Sequence, residues 1–159
     1  MERARTTPAR HRPDAEACGF VEPVARSLEM TSTALDRLQD ACSQSPDAET
    51  GGLLIGSGST CADVRILANK TVGDRRTTYA VDPDDLHHVE LSLGSRRSIG
   101  WWHSHVARSP RPSPGDVADA PWATFQVIVS LVAGRGLRIS RWWVDHHGRW
   151  HDLGELRWR

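Results

Sequence analysis

The residue types best suited to chemistry lie close together, where the sequence reads His103-Ser104-His105 and reaches Asp116 after a proline-rich loop. Alternate side chains of a β-strand leave the same face, so His103 and His105 are predicted to project together while Ser104 points away. Two imidazoles and a carboxylate suit zinc, and three protein ligands leave the fourth position free for water, as in a catalytic site. We therefore predict a metal centre held by His103, His105 and Asp116.

A water activated by such a metal needs a base that receives its proton and passes it to a leaving amine. Glu49 is predicted for this role because it immediately precedes an apolar strand, from which its side chain can lean over the ligands of a neighbouring strand. Asp47 is the alternative carboxylate. Ser113 has two interpretations: its hydroxyl donates to the oxygen of a tetrahedral intermediate, or it caps the short helix that follows.

The elements that must position these residues follow from apolar periodicity and from capping residues. One helix is expected to begin at Thr31 or Ser32 and to end before Pro46. A second helix begins near Pro83 with Asp82 as its cap, and a short third helix follows the proline-rich loop. The predicted strands cover residues 51–56, 62–72, 98–105, 124–132, 136–145 and 149–159.

This order, α-β-β-α-β-α-β-β-β, predicts an α/β fold class in the mixed α+β sense, with helices flanking one central mixed β-sheet. Residues 1–26 carry several Arg and Pro residues and few large apolar ones, so they are predicted to form a flexible N-terminal tail. Residues 27–159 are predicted to form a single domain. In the strand that carries the histidines, Trp102 is expected to face the core and Trp101 to share the histidine face.

Length, charge and cysteine count exclude several classes of function. The 159 residues carry 20 Lys+Arg and 20 Asp+Glu, and a formal net charge of zero argues against binding nucleic acid or an acidic membrane by bulk charge. No apolar run reaches the roughly 20 residues of a membrane span, and the N-terminus lacks the apolar segment of a secretory signal. Cys18, Cys42 and Cys61 form no C-x-x-C pair, which predicts reduced thiols in a cytoplasmic protein rather than a disulfide framework.

Three motifs together resemble the JAMM (MPN+) signature of the Mov34/MPN/PAD-1 zinc metalloproteases, in their bacterial stand-alone form. These motifs, within residues 30–145, are Glu49-x-x-Gly52, the run from Gly100 to His105, and Ser113-x-x-Asp116. The family pattern is an upstream Glu, then H-S-H, a spacer and S-x-x-D. One position departs from it: Val106 stands where the family usually has Pro, which is expected to loosen the loop carrying Asp116 unless the prolines of that loop compensate.

The resemblance implies an MPN/JAB1-like (cytidine-deaminase-like) domain that binds one Zn²⁺ per chain through the positions matching His103, His105 and Asp116. It also implies that Glu49 is the general acid/base and that Ser113 is the oxyanion partner. Members of the family are isopeptidases. The implied partner is therefore a ubiquitin-like or sulfur-carrier protein with a C-terminal glycine tail, with no nucleic acid and no membrane involved.

Two other functions stay open at this point. A non-catalytic scaffold domain of the same fold would recruit partners, although such relatives typically lack one or more of the residues matching Glu49 and the three ligands. A metal hydrolase acting on a small amide or a DNA-associated substrate is the third hypothesis, and the lack of a basic stripe argues against DNA. His87 and His88, on the second predicted helix, are too far from any acidic-His set to form a second site by spacing. The C-terminal histidines His146, His147 and His151 are predicted to be solvated turn residues.

Overall fold

The computed structural model describes residues 27–132 and 136–159. The predicted tail of residues 1–26 lies outside the described residues. No helix of the described part is long and apolar enough to cross a membrane. In chain order, the elements are β1 (Glu29–Met30), α1 (Ser32–Gln44), β2 (Gly51–Ser57), β3 (Thr60–Leu67), α2 (Pro83–Ser92), β4 (Arg97–His105), α3 (Pro114–Asp119), β5 (Thr124–Val132), β6 (Gly136–Val144) and β7 (Trp150–Trp158).

The strands form one sheet in the order β1-β3-β2-β4-β5-β6-β7. β1 pairs with β3 and β4 pairs with β5 in parallel, and the other neighbours are antiparallel. The predicted mixed sheet with helices is therefore confirmed. A parallel pair needs a long crossover between its strands, and residues 106–123 supply it for β4 and β5. The same crossover carries Asp116, so one segment both connects the strands and bears the third predicted ligand.

Helix α1 covers one face of the sheet. Thr31 caps it, because the Thr31 Oγ1 accepts a hydrogen bond from Ala34 N at 3.2 Å. A stripe of buried residues along the helix packs against Trp102 and the inward side chains of β2, β3, β5 and β6. This stripe consists of Ala34, Leu35, Leu38, Ala41 and Cys42. Trp102 is 1% exposed and packs in the core, as predicted.

Helix α2 covers the opposite face. Asp82 caps it by accepting a hydrogen bond from Asp84 N at 2.8 Å, and a proline occupies the first turn. Leu86 and Val89 of this helix pack with Trp101 over a second apolar cluster, whose buried members are Leu53, Ile55, Leu67 and Leu93. Trp101 and Trp102 therefore face opposite sides of the sheet, as the alternation along the strand predicts.

Two features differ from the prediction. β1 has only two residues, which is too short to produce a periodic pattern. β3 ends at Leu67 rather than at residue 72, because the Asn69 side chain turns the chain. The Asn69 Oδ1 accepts a hydrogen bond from Thr71 N at 3.0 Å, and the Nδ2 donates one to Thr78 O at 2.9 Å. Residues 68–81 consequently form a loop, called here the Asn69 loop, in place of the last residues of the predicted strand.

Gly52 leaves room for the buried side chain of Trp102 to pass over β2 and reach β3. Trp102 is the register partner of Gly52 on β4, and its indole Nε1 donates a hydrogen bond to Arg65 O on β3 at 3.2 Å. A Cβ on Gly52 would lie 1.8 Å from Arg65 O, which no side chain can tolerate without a backbone shift. The glycine of the Glu49-x-x-Gly52 motif therefore has a packing role in this chain.

Candidate metal centre

Strand β4 ends in the two histidines, whose imidazoles leave the same face of the sheet. His103 and His105 are both buried, and their Nε2 atoms lie 3.2 Å apart. Asp116, in the first turn of α3, places its Oδ1 3.1 Å from His103 Nε2 and its Oδ2 3.3 Å from His105 Nε2. The fold thus brings the three predicted ligands together at the end of β4.

These separations fit a tetrahedral zinc ion. Metal–ligand bonds of about 2.0–2.2 Å place neighbouring corners of a tetrahedron about 3.3 Å apart. The two imidazole nitrogens lie 3.2 Å apart, and each lies 3.1–3.3 Å from a different oxygen of the Asp116 carboxylate. Three ligands leave one corner for water or substrate, which is the arrangement of catalytic zinc sites. Among the described residues, this is the one group of three His, Cys, Asp or Glu side chains whose ligand atoms lie within 4.8 Å of one another.

A hydrogen bond to the loop sets the orientation of the His105 ring. Its Nδ1 lies 2.8 Å from the carbonyl oxygen of Ser109. A carbonyl oxygen only accepts, so the hydrogen belongs on Nδ1, and Nε2 keeps its lone pair for a metal. This outer contact supports the ligand role of His105.

Asp116 is held by the helix that it helps to begin. Its carboxylate accepts a hydrogen bond from Ser113 N, while its own N–H donates to the Ser113 Oγ, which together form a capping box. Burial alone would raise the pKa of Asp116, but the hydrogen bonds and charge of His103 and His105, with the Ser113 N–H, hold it well below its usual range. The carboxylate is therefore ionised, as a metal ligand must be.

Ser113 caps α3, which confirms one of the two roles predicted for it. Its Oγ accepts from Asp116 N, and a hydroxyl that accepts in this way can still donate its hydrogen elsewhere. The donor role toward a tetrahedral intermediate stays a prediction.

Residues 106–113, called here the ligand loop, are anchored by hydroxyl groups of the sheet. Ser130 Oγ on β5 donates to Arg108 O at 2.6 Å, and Ser140 Oγ on β6 donates to Pro110 O. These bonds hold the loop at two points, and the loosening expected from Val106 stays a prediction.

Glu49 lies beside the histidines because of the register between β2 and β4. Gly51 pairs with His103, and Ser104 N donates to Thr50 O at 2.7 Å, which places Glu49 opposite His105. The Glu49 side chain is 2% exposed. Asp47, the alternative carboxylate, lies at the surface with its side chain 86% exposed and paired with an arginine. The geometry therefore favours Glu49 as the carboxylate next to the metal centre.

Three contacts of Glu49 were missed by the sequence analysis. Its carboxylate is ion-paired with Arg108 of the ligand loop. Its N–H donates to Arg75 O at 2.7 Å, and its carbonyl oxygen accepts from Asn69 Nδ2 at 2.9 Å. Arginine and asparagine in loops are usually solvated, so the type of these residues carried no signal; their partners depend on how the loops fold back over β2.

A cavity of about 120 Å³ lies beside His103 and Asp116. The rings of Tyr79 and Trp101 line it, so Trp101 walls the space next to the ligands as expected. A hydrogen bond from Tyr79 OH to Leu67 O, at 2.9 Å, holds the tyrosine in place.

The histidines outside the centre do not gather into a second site with three ligands within the described ranges. His88 Nδ1 lies 2.7 Å from Asp84 O, and His151 Nε2 lies 2.9 Å from Asp145 Oδ2. The His151 side chain is 37% exposed, as a solvated histidine would be, but Asp145 also holds it. The turn between β6 and β7 needs this carboxylate, because it also accepts the N–H groups of His147 and Arg149.

The described cysteines are free thiols buried in the apolar interior. Burial raises the pKa of Cys42 to about 12 and, as the largest cause, that of Cys61 to about 11. Both are therefore protonated and unreactive at neutral pH. Cys18 lies outside the described residues.

Comparisons with known proteins agree with this fold. The sequence profile of the Prok-JAB family, described as prokaryotic homologs of the JAB domain, matches residues 31–145. A sequence comparison with proteins of curated function gave no match.

Three solved structures are similar to the chain. A solution structure of protein DSY2949 from Desulfitobacterium hafniense has a TM-score of 0.68 at 20% identity, covering 79% of this chain and 88% of that one. A solution structure of a protein from Salinibacter ruber has a TM-score of 0.59 at 22% identity, covering 82% and 91%. The JAB1/MPN domain protein AF2198 from Archaeoglobus fulgidus has a TM-score of 0.44 at 18% identity, covering 67% and 79%. The first two likenesses support the fold.

Proposed function

Because the chain belongs to the Prok-JAB family, the prokaryotic homologs of the JAB domain, we propose that it is a zinc-dependent metallopeptidase or isopeptidase. The proposed reaction is hydrolysis of the peptide or isopeptide bond after the C-terminal glycine of a ubiquitin-like or sulfur-carrier protein. One observation carries the proposal: ligand atoms of His103, His105 and Asp116 converge within 4.8 Å of one another, and a buried carboxylate, Glu49, lies opposite His105 in the register of β2 and β4.

Zinc, when bound, supplies a Lewis acid that polarises a carbonyl and lowers the pKa of a coordinated water. His103, His105 and Asp116 would hold it. Glu49 then receives a proton from the attacking water and delivers it to the leaving amine. Arg108 bonds to the Oε1 of Glu49, so Oε2 is the oxygen proposed to carry the proton. The Ser113 hydroxyl is proposed to donate to the oxygen of the scissile carbonyl.

The shape of the site supports a glycine tail as the substrate segment. The cavity beside His103 measures about 120 Å³ and is walled by Tyr79 and Trp101. The Tyr79 ring lies 2.8 Å from the place where a Cβ on Gly51 would stand, so the ring packs directly against the β2 backbone. A segment without side chains fits such a space, whereas a bulky residue next to the scissile bond would not.

The cytoplasm is the proposed compartment, in keeping with the free thiols of Cys42 and Cys61.

The test is cleavage of a fusion in which a ubiquitin-like protein ending in Gly-Gly precedes a reporter. We expect the zinc-loaded protein to release the reporter, a chelator to stop release, and added zinc to restore it. Glu49→Gln should keep the metal and lose roughly 10²–10⁴-fold in kcat. His87→Ala, a change to a histidine on α2 that is no ligand, is the matched control and should cleave normally.

A zinc-loaded protein that cleaves no such fusion and no glycine-tailed peptide would contradict the proposal. The chain would then be assigned to the non-catalytic scaffolds of the same fold.

A further inference from the structure

Arg108 is the ion-pair partner of Glu49 and lies in the ligand loop, between His105 and Asp116. The Glu49 side chain is 2% exposed and that of Arg108 is 36% exposed, so the pair joins a buried carboxylate to a guanidinium that reaches solvent. A carboxylate buried this deeply is strongly disfavoured without a countercharge. Arg108 supplies that charge.

The backbone around Arg108 is built to hold this contact. Ser130 Oγ donates to Arg108 O at 2.6 Å. The preceding residue, Ala107, has a φ of 52°, in the left-handed region that residues with a Cβ rarely adopt. The Nε of Arg108 is buried without a hydrogen-bond partner among the described residues. A strained neighbour and an unsatisfied donor are tolerated only where another interaction compensates, and the ion pair with Glu49 is that interaction.

Glu49 lies opposite His105 in the register of β2 and β4, so a metal ion entering the centre comes near the ion pair. Glu49 attracts a divalent cation, whereas the guanidinium of Arg108 repels it. We infer that Arg108 lowers the affinity of the centre for a divalent cation. It neutralises Glu49 when the centre is empty and weakens the binding of a divalent cation when one enters. This inference rests on the proposed function, because it assumes that His103, His105 and Asp116 bind zinc.

The test is the affinity of the metal-free full-length chain for Zn²⁺, measured by calorimetry. Arg108→Gln removes the charge but keeps most of the side chain, and it should bind zinc more tightly than wild type, by roughly tenfold. Arg108→Lys keeps the charge and should stay close to wild type. Arg111→Gln is the matched control: it removes the same charge from an exposed residue of the ligand loop, and solvent screening should keep its effect within about twofold.

The outcomes separate this inference from the proposed function. If Arg108 only supported the loop, the Arg108→Gln variant would bind zinc as tightly as the wild type or more weakly. An affinity for Arg108→Gln at or below that of wild type therefore overturns the inference alone. A wild-type chain that binds no zinc overturns the proposed function and the inference with it.

A second measurement uses the wild-type chain and does not depend on the variant folding. The buried Nε–H of Arg108 should give a resolved proton–nitrogen NMR signal, assigned by its loss in Arg108→Lys. We expect Zn²⁺ to shift this signal and to speed its exchange with water, because the metal weakens the pair with Glu49. A signal that saturating zinc leaves unchanged would overturn the inference.

Discussion

Ser113 and Asp116 hold each other across the first turn of α3. The Ser113 N–H donates to Asp116 Oδ2 at 2.6 Å, and the Asp116 N–H donates to Ser113 Oγ at 3.2 Å. The same Asp116 Oδ2 lies 3.3 Å from His105 Nε2. One carboxylate therefore serves both as the N3 member of the capping box and as candidate metal ligand, so the Ser-x-x-Asp spacing suits the helix as well as the centre.

The two roles of Ser113 can be separated by substitution. Glycine at an N-cap costs only a few tenths of a kcal/mol, so Ser113→Gly should leave thermal stability almost unchanged. If the hydroxyl donates to the reacting carbonyl, kcat on a cleavable fusion should fall by roughly 10²–10³. Ser113→Thr keeps both the cap and the hydroxyl and should remain active. A fully active Ser113→Gly would show that the serine acts only as a cap.

The metal content should follow the ligand set. After equilibration with zinc and removal of the excess, elemental mass spectrometry should find about one zinc per chain in the wild type and none in His105→Ala, because two ligands hold zinc poorly. Glu49→Ala keeps all three ligands and should retain the metal. Zinc retained in His105→Ala would place the metal elsewhere.

Asn69 should position Glu49 through the backbone. Its Nδ2 donates to the carbonyl oxygens of Glu49 and Thr78. Asn69→Asp replaces this donor with an acceptor that faces both oxygens, so both hydrogen bonds are lost. Each loss should lower the free energy of unfolding by about 1 kcal/mol. We expect the Glu49 amide, which donates to Arg75 O, to exchange its hydrogen at least about tenfold faster. kcat should fall, while zinc content is unchanged.

The matched control for Asn69 is Thr71→Val. It removes the hydrogen bond from Thr71 Oγ1 to Thr78 O, in the same loop, without touching Glu49. Equal exchange of the Glu49 amide in Asn69→Asp and in the wild type would show that the Asn69 loop does not brace this residue.

Gly52→Ala should destabilise the fold, because its Cβ would meet Arg65 O at 1.8 Å and displace the indole of Trp102. Overpacking of this kind costs about 1–3 kcal/mol or more in the free energy of unfolding. Gly115→Ala is the control, since its Cβ would meet nothing closer than 3.8 Å and alanine favours a helix. Denaturant unfolding that gives equal stabilities for both variants would contradict this packing role.

The turn between β6 and β7 should weaken in acid. The hydrogen bond from His151, followed by that of the Arg149 N–H, holds the pKa of Asp145 well below its usual range. A carboxylate with a lowered pKa stabilises the fold above its ordinary pKa of about 3.9 and loses this effect as the pH falls through its native value. The melting temperature of Asp145→Asn should therefore lie below that of the wild type at pH 7, with the gap narrowing toward pH 2. A constant gap would contradict this.

The features that could be predicted from the sequence are those that depend on contacts between residues close together in the chain. Thr31 and Asp82 cap their helices through bonds that span two or three residues. His103 and His105 leave one face because strand geometry alternates. The strand predicted to reach residue 72 was wrong where contacts are not local. Asn69 bonds to residues nine and eleven positions away, beyond the reach of a local pattern.

The candidate ligands His103, His105 and Asp116 were thus predictable from the sequence itself, through residue types whose spacing matches a strand and a helix cap. What holds Glu49 was decided by the tertiary structure. Arg108 lies 59 residues from Glu49 in the chain and Asn69 lies 20 residues away. Both contacts depend on the pairing of β2 with β4 and on two loops that fold over the strand ends. Strand order and register are set by packing across the whole sheet, so no local pattern specifies them.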